Sequence, residues 1–146
     1  MLEAFTEFSH ATMRAPDIAR GILDHARPYL SAATIADLES CVQADDCADG
    51  IESVESALDE LQEHTAPFCY VGSHEGDGAA IGVWPDPSAL EYDEDVLRIS
   101  DGSEIPATHG GLAAIVNDHG NVTLVSCHGP DESGDYCQTI EIWSVV

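Results

Sequence analysis

The chain has no lysine, and its cations are limited to Arg14, Arg20, Arg27 and Arg98 against 28 carboxylates, a formal net charge of −24. Such a chain is a poor ligand for nucleic acid or for an anionic membrane, because both would repel it. Long apolar runs are missing as well. The longest aliphatic stretch, Leu112-Ala113-Ala114-Ile115-Val116, is far too short to span a bilayer. The N-terminal Met1-Leu2-Glu3-Ala4-Phe5-Thr6-Glu7 lacks a basic region, so no signal peptide is expected. Five cysteines, an odd number without regular spacing, do not form the pattern of a secreted disulfide framework. A reducing cytoplasm is the expected compartment.

What is present is unevenly placed. Residues 1–36 carry four acids and three arginines, a net of −1, whereas residues 37–146 carry the other 24 acids and Arg98 alone, a net of −23. Solubility of a small domain is met by a net charge of roughly 2–8 in magnitude, so the excess calls for a further cause. Hydrophobic content of 44% in 146 residues is enough for a folded core.

Periodicity predicts an α+β fold: an N-terminal helical segment of about four helices over residues 1–65, then a mostly antiparallel sheet of about five strands over 66–146. Leu2, Phe5, Phe8 and Met13 suggest a first apolar helix face. Pro16 suits the first turn of a second helix, with Ile18, Ile22, Leu23 and Ala26 inward and Pro28 ending it. Ile35, Leu38 and Val42 mark a third over Thr34–Val42. The fourth carries the stripe Ile51, Val54, Leu58 and Leu61, with Glu52, Glu55, Asp59, Glu60 and Glu63 opposite. Asp49 is placed as its N-cap, with Glu52 three residues on. Strands are predicted at Phe68–Ser73, Ala79–Trp84, Val96–Ser100, Leu112–Asn117, Val122–Cys127 and Gln138–Val145, with a short helical piece at Pro85–Glu91 and a hairpin turn at Asp118-His119-Gly120-Asn121.

Glu52, Glu55, Asp59 and Glu63 are neighbours on a helix surface, with Cβ atoms about 5–6 Å apart. No lysine or arginine stands one turn away to relieve them. Glu91, Asp93, Glu94 and Asp95 form a second acidic cluster, and Asp131, Glu132 and Asp135 a third. These groups can copy the repeated charge of a nucleic-acid backbone and so fit a basic, nucleic-acid-reading protein surface. The first two clusters are the expected partner-binding residues. The same composition also suits a protein of a saline cytoplasm, a halophilic acidic domain without mimicry.

Chemistry-bearing motifs are weak. Asp45-x-Cys47-x-Asp49-Gly50 begins like a calcium loop but has Cys47 at position three and Ser56 where a bidentate glutamate belongs. Cys127, His128, Cys137 and His119 lack zinc geometry, since successive strand residues point to opposite faces. Cys127 and Cys137 read as buried cross-strand neighbours. His74 beside Glu75, His109 near Ser103 and Glu104, and Asp118-His119 sit in no nucleophile or phosphate-loop motif. A small enzyme using histidine or cysteine chemistry is therefore the lesser alternative, and no metal or cofactor is expected. Trp84, Trp143, Tyr70, Phe68 and Ile142 are expected in the core or on a sheet face.

Over residues 79–146, Gly82-Val83-Trp84-Pro85-Asp86, Asn117-Asp118-His119-Gly120-Asn121-Val122-Thr123-Leu124 and Ile140-Glu141-Ile142-Trp143-Ser144 resemble short proteins carried by phages and prophages. The acidity and size are similar to those of phage-encoded anti-restriction and anti-CRISPR proteins, several of which act as DNA mimics. That resemblance implies a small non-enzymatic inhibitor of a host defence complex. It brings no catalytic signature and no functional residues with it.

Overall fold

A computed structural model describes residues 1–44, 50–129 and 138–146. The architecture is α+β, with three α-helices, three 3-10 turns and seven strands among those residues. Contacts divide the chain into two compact units, Met1–Trp84 and Pro85–Val146. The change of period near residue 66 marks the change from helix to strand, but the first unit runs on to Trp84 because the first hairpin belongs with the helices.

The first unit holds β1 (Glu7–Ser9), α1 (Ala15–Ala26), α2 (Ala32–Ala44), α3 (Gly50–Gln62), β2 (Cys69–His74) and β3 (Asp77–Pro85, whose final residue lies past the division). The three helices pack on one another, β1 lies on α1, and α3 meets β2. α1 begins where expected, with Pro16 in its first turn and Asp17 pairing with Arg14 at 3.6 Å and Arg20 at 3.3 Å. The Oγ of Ser31 accepts the Thr34 N–H at 3.2 Å and caps α2. Ile22, Leu38 and Leu61 are fully buried where the helices meet.

The first predicted helix does not form. Phe5 and Ala11 have φ of 63° and 59°, in the left-handed region that no right-handed helix contains. Leu2 instead clips onto the end of α3: its N–H donates to the His64 carbonyl at 2.7 Å and its carbonyl accepts the Ala66 N–H at 2.8 Å. β1 pairs antiparallel with β3, giving a three-stranded sheet in the order β1-β3-β2. The apolar spacing of Leu2, Phe5 and Phe8 mimics a helix, but only Leu2 and Phe8 are buried and Phe5 is 51% exposed.

Two glycines make the docking of β1 possible. A Cβ at Gly21 of α1 would lie 1.9 Å from the Phe8 carbonyl oxygen. One at Gly82 of β3 would lie 2.5 Å from the Thr6 carbonyl oxygen and 2.9 Å from the Glu7 Cα. The β1 backbone thus rests directly on the helix and strand backbones, a closeness that only glycine permits.

The second unit is a four-stranded sheet in the order β4-β5-β6-β7, built from β4 (Leu97–Ile99), β5 (Gly111–Val116), β6 (Val122–His128) and β7 (Gln138–Val145). The single predicted sheet of about five strands is therefore two sheets, of three and four. β5, β6 and β7 are antiparallel, while β4 runs parallel to β5. The β5–β6 hairpin forms as predicted. Asn117 Oδ1 accepts the N–H groups of His119 at 2.9 Å and Asn121 at 3.0 Å, and Gly120 takes the positive φ of 82° that the turn needs. The predicted short helical piece forms as a 3-10 helix, Pro87–Tyr92, capped by Asp86. Ala113, Val125 and Cys127 form a buried cluster with Leu97, Ile105 and Ile115 against it.

Candidate acidic interface on the third helix

α3 places the first acidic cluster. Gly50, Val54, Ala57 and Leu61 are its buried residues. The predicted stripe centred on Leu58 is turned toward Ala57, so that Leu58 is half-buried and Ile51 stands out at 62% exposure. Opposite this seam, Glu52, Glu55, Asp59 and Glu63 are all exposed. At about 100° per residue they fall within an arc of about 80°, a single ridge. Among the described residues, no ion pair involves any of the four. The described cations are engaged elsewhere: Arg14 and Arg20 with Asp17, Arg27 with Glu39 at 2.7 Å.

Glu60, predicted to share the acidic face, turns toward α2 instead. Its carboxylate accepts the Ser31 N–H and the Thr34 hydroxyl at the start of that helix. The Thr34 bond, the largest cause, together with the Ser31 bonds and the neighbouring His64 holds the Glu60 carboxyl below its ordinary pKa, although burial, second in size, opposes them. Because the folded pKa is the lower one, the stabilisation is full above the ordinary carboxylate range and is lost as pH falls through the folded value. Glu60→Gln is accordingly expected to melt below the parent at neutral pH and to converge with it in acid. Thermal melts of both proteins across that pH window check it; parallel curves would show that the Glu60 charge contributes nothing.

The ridge is flanked by two clefts. On the α2 side, Asp37, Glu52, Ser53 and Ser56 line a polar notch of about 280 Å³. On the other side, Met13, Ala15, Ile18, Ile51, Val54, Glu55 and Ile81 line an apolar slot of about 210 Å³. The notch combines two carboxylates with two hydroxyls, a donor-seeking set suited to a guanidinium or ammonium. Sequence reading found the ridge but neither cleft, since each needs residues from elements far apart in the chain.

The second cluster is less free. Glu91, near the end of the 3-10 segment, and Glu94 and Asp95, in the turn after it, are exposed, but Asp93 Oδ1 accepts the Asp95 N–H at 2.9 Å and the Asp93 carbonyl accepts from Arg98 at 3.4 Å. Glu91 and Arg98 also face one cavity of about 400 Å³, whose walls include Pro87, Leu90, Ala114, Val116 and Val122. The one cation of residues 37–146 thus sits beneath the second cluster. The two clusters belong to different units.

The nucleophile and ligand candidates are dispersed. The His74 ring stands edge-on to Trp84 at 4.7 Å and its Nδ1 accepts the Gly76 N–H at 3.1 Å. His109 Nε2 lies 3.2 Å from the Leu112 carbonyl, His119 belongs to the β5–β6 turn, and Cys127 is inside the apolar cluster. Burial pushes the Cys69 thiol up to about 11, far from thiolate reactivity. Among the described residues no three His, Cys, Asp or Glu side chains gather as a metal site. The predicted Asp45–Asp49 loop with its Asp49 cap, Cys137 and the Asp131, Glu132, Asp135 cluster lie outside the described residues. No described helix is long and apolar enough to cross a membrane. No family model matches the chain, and no curated protein or solved structure matches it.

Proposed function

We propose that this chain is a non-enzymatic acidic inhibitor that binds a basic, nucleic-acid-binding surface of a host defence complex of the CRISPR or restriction kind and blocks it by charge mimicry. One observation carries the reading: the ridge Glu52, Glu55, Asp59 and Glu63 is exposed, lacks any described counter-ion and sits on a helix with no basic residue. From Glu52 to Glu63, the residue that follows α3, a helical rise spans about 16 Å, roughly one charge per 5 Å. One nucleic-acid strand carries a phosphate per ~3.4 Å of axis, so the ridge imitates one strand rather than a duplex. Glu91, Asp93, Glu94 and Asp95 are the secondary contact.

Uneven acidity supports a local role over adaptation to habitat. The sheet segments 111–128 and 138–146 contain only Asp118 and Glu141, whereas α3 alone holds four acids, with Glu63 directly after it. A saline-cytoplasm protein needs molar salt to fold; this chain is expected to melt cooperatively in dilute buffer. The functional test is affinity capture from host lysate at low and high salt, followed by displacement of nucleic acid from whatever basic complex is retained. Retention that weakens with salt and competes with nucleic acid is the expected result. Indifference to basic complexes in dilute buffer, or competition with no nucleic acid, rejects the reading.

A further inference from the structure

The apolar slot beside the ridge adds to the partner's description. Met13 and Ile51 are 69% and 62% exposed, and both line the one cleft floored by Ala15, Ile18, Val54 and Ile81. Scattered exposed apolar residues need no explanation, but two large ones converging on a cleft mark a binding feature. At about 210 Å³ the slot is smaller than the roughly 300–1,000 Å³ typical of small-molecule sites. It is sized for a side chain.

Charge identifies the occupant. Glu55 belongs to both the slot and the ridge, and Glu52 and Asp59 flank it. Met13 is followed by Arg14, which pairs with Asp17. A second copy of the same face would set four carboxylates against four. With no cation interleaved among them, the two sets repel across the whole contact, which opposes pairing of this face with itself. We infer that the slot receives an apolar side chain from a basic amphipathic helix of the partner protein, whose lysines or arginines meet Glu52, Glu55 and Asp59. This rests on the reading of the ridge as the contact surface. It goes further by making recognition part apolar, which a nucleic-acid duplex cannot satisfy. The partner's cationic groove then differs from one that only grips phosphates, because an apolar anchor stands beside its basic residues.

Two synthetic peptides test it, matched in lysine number: one with leucines at helical spacing, one with serines in their place. Binding of each is measured by fluorescence anisotropy in dilute buffer against the parent, the pair Met13→Gln/Ile51→Gln, and the triple Glu52→Gln/Glu55→Gln/Asp59→Asn. All are surface changes, expected to leave the fold intact, and circular dichroism melts verify this. The leucine peptide is expected to bind the parent at least tenfold more tightly than the serine peptide. The apolar pair is expected to lower that affinity about tenfold with its salt dependence unaltered, and to leave the serine peptide unaffected. The acidic triple is expected to weaken both peptides. Equal binding of the leucine peptide to parent and Met13→Gln/Ile51→Gln overturns the slot inference while the ridge reading survives. No response of either peptide to the acidic triple overturns the ridge reading as well. Self-association of the parent that Ile51→Gln abolishes assigns the slot to a second copy and overturns the proposed occupant.

Discussion

Neutralising the ridge with Glu52→Gln, Glu55→Gln, Asp59→Asn and Glu63→Gln is expected to cut the rate of association with the basic partner by about 10–100-fold at low salt, within the range electrostatic steering supplies. The loss shrinks as salt rises, because the parent itself loses its steering through screening. Stability moves the other way. Glu55 with Asp59 and Asp59 with Glu63 are like-charge pairs one turn apart, and Glu52 with Glu55 is a closely spaced third. Each costs about 0.2–0.5 kcal/mol. Against this, Glu52 sits in the first turn of α3, where a carboxylate is favoured by the helix dipole by about 0.3–1 kcal/mol. The net gain is about 0.5 kcal/mol, a Tm rise of a few degrees for a unit of this size. Slower binding with a firmer fold separates a contact surface from a structural one. An unchanged association rate together with an unchanged salt dependence would remove the ridge from the interface. The same treatment of Glu91, Glu94 and Asp95 has a smaller expected effect, since Arg98 already lies beneath that turn.

These acids were legible in the sequence because a helix of known period fixes which side chains share a face. α3 satisfies that condition: Val54 and Leu61 are buried, and four carboxylates fall opposite. Glu60 broke the pattern for a reason outside the helix. It lies on the margin of the face, and Ser31 and Thr34 at the start of α2 offered it donors. The β5–β6 hairpin was readable from Asn117 to Asn121, where local turn chemistry alone dictates the shape. The notch and slot were not readable. Asp37 and Ser56 are brought to one notch by helix packing, and Met13 and Ile51 line one slot although 38 positions separate them, which no local spacing encodes.

The first strand was misread for a related reason. Leu2, Phe5 and Phe8 recur every three residues, and a short apolar run does not distinguish a helix from an irregular strand. What decides the matter lies elsewhere in the chain, in Gly21 and Gly82. Their want of a side chain opens the channel in which β1 lies. In sequence, each looks like an ordinary weakness of a helix or a strand.

Gly21→Ala is therefore expected to destabilise the protein, although alanine in a helix interior normally gains about 0.5–1 kcal/mol over glycine. The new Cβ would stand 1.9 Å from the Phe8 carbonyl oxygen and 2.8 Å from its carbon. Both are backbone atoms, so no rotamer change relieves the clash and β1 must move. Movement exposes Phe8, now 5% accessible, and loosens the Glu7–Gly82 and Ser9–Ile81 pairing. Overpacking of this kind costs about 3 kcal/mol, a large part of the roughly 5–15 kcal/mol that holds a domain together. For a unit of this size the Tm should fall by about 15 °C. Gly82→Ala presses on the same strand from the other side, at 2.5 Å from the Thr6 carbonyl oxygen, and should cost a similar amount. Since either change already displaces β1, the double variant should lose less than the two losses summed, a coupling that a double-mutant cycle reads directly. Gly78→Ala is the control. It lies in the same strand as Gly82 with nothing within 4 Å of the added carbon, and should melt with the parent. If Gly21→Ala melts with it, β1 does not rest on α1, and the placement of Glu7–Ser9 against that helix fails.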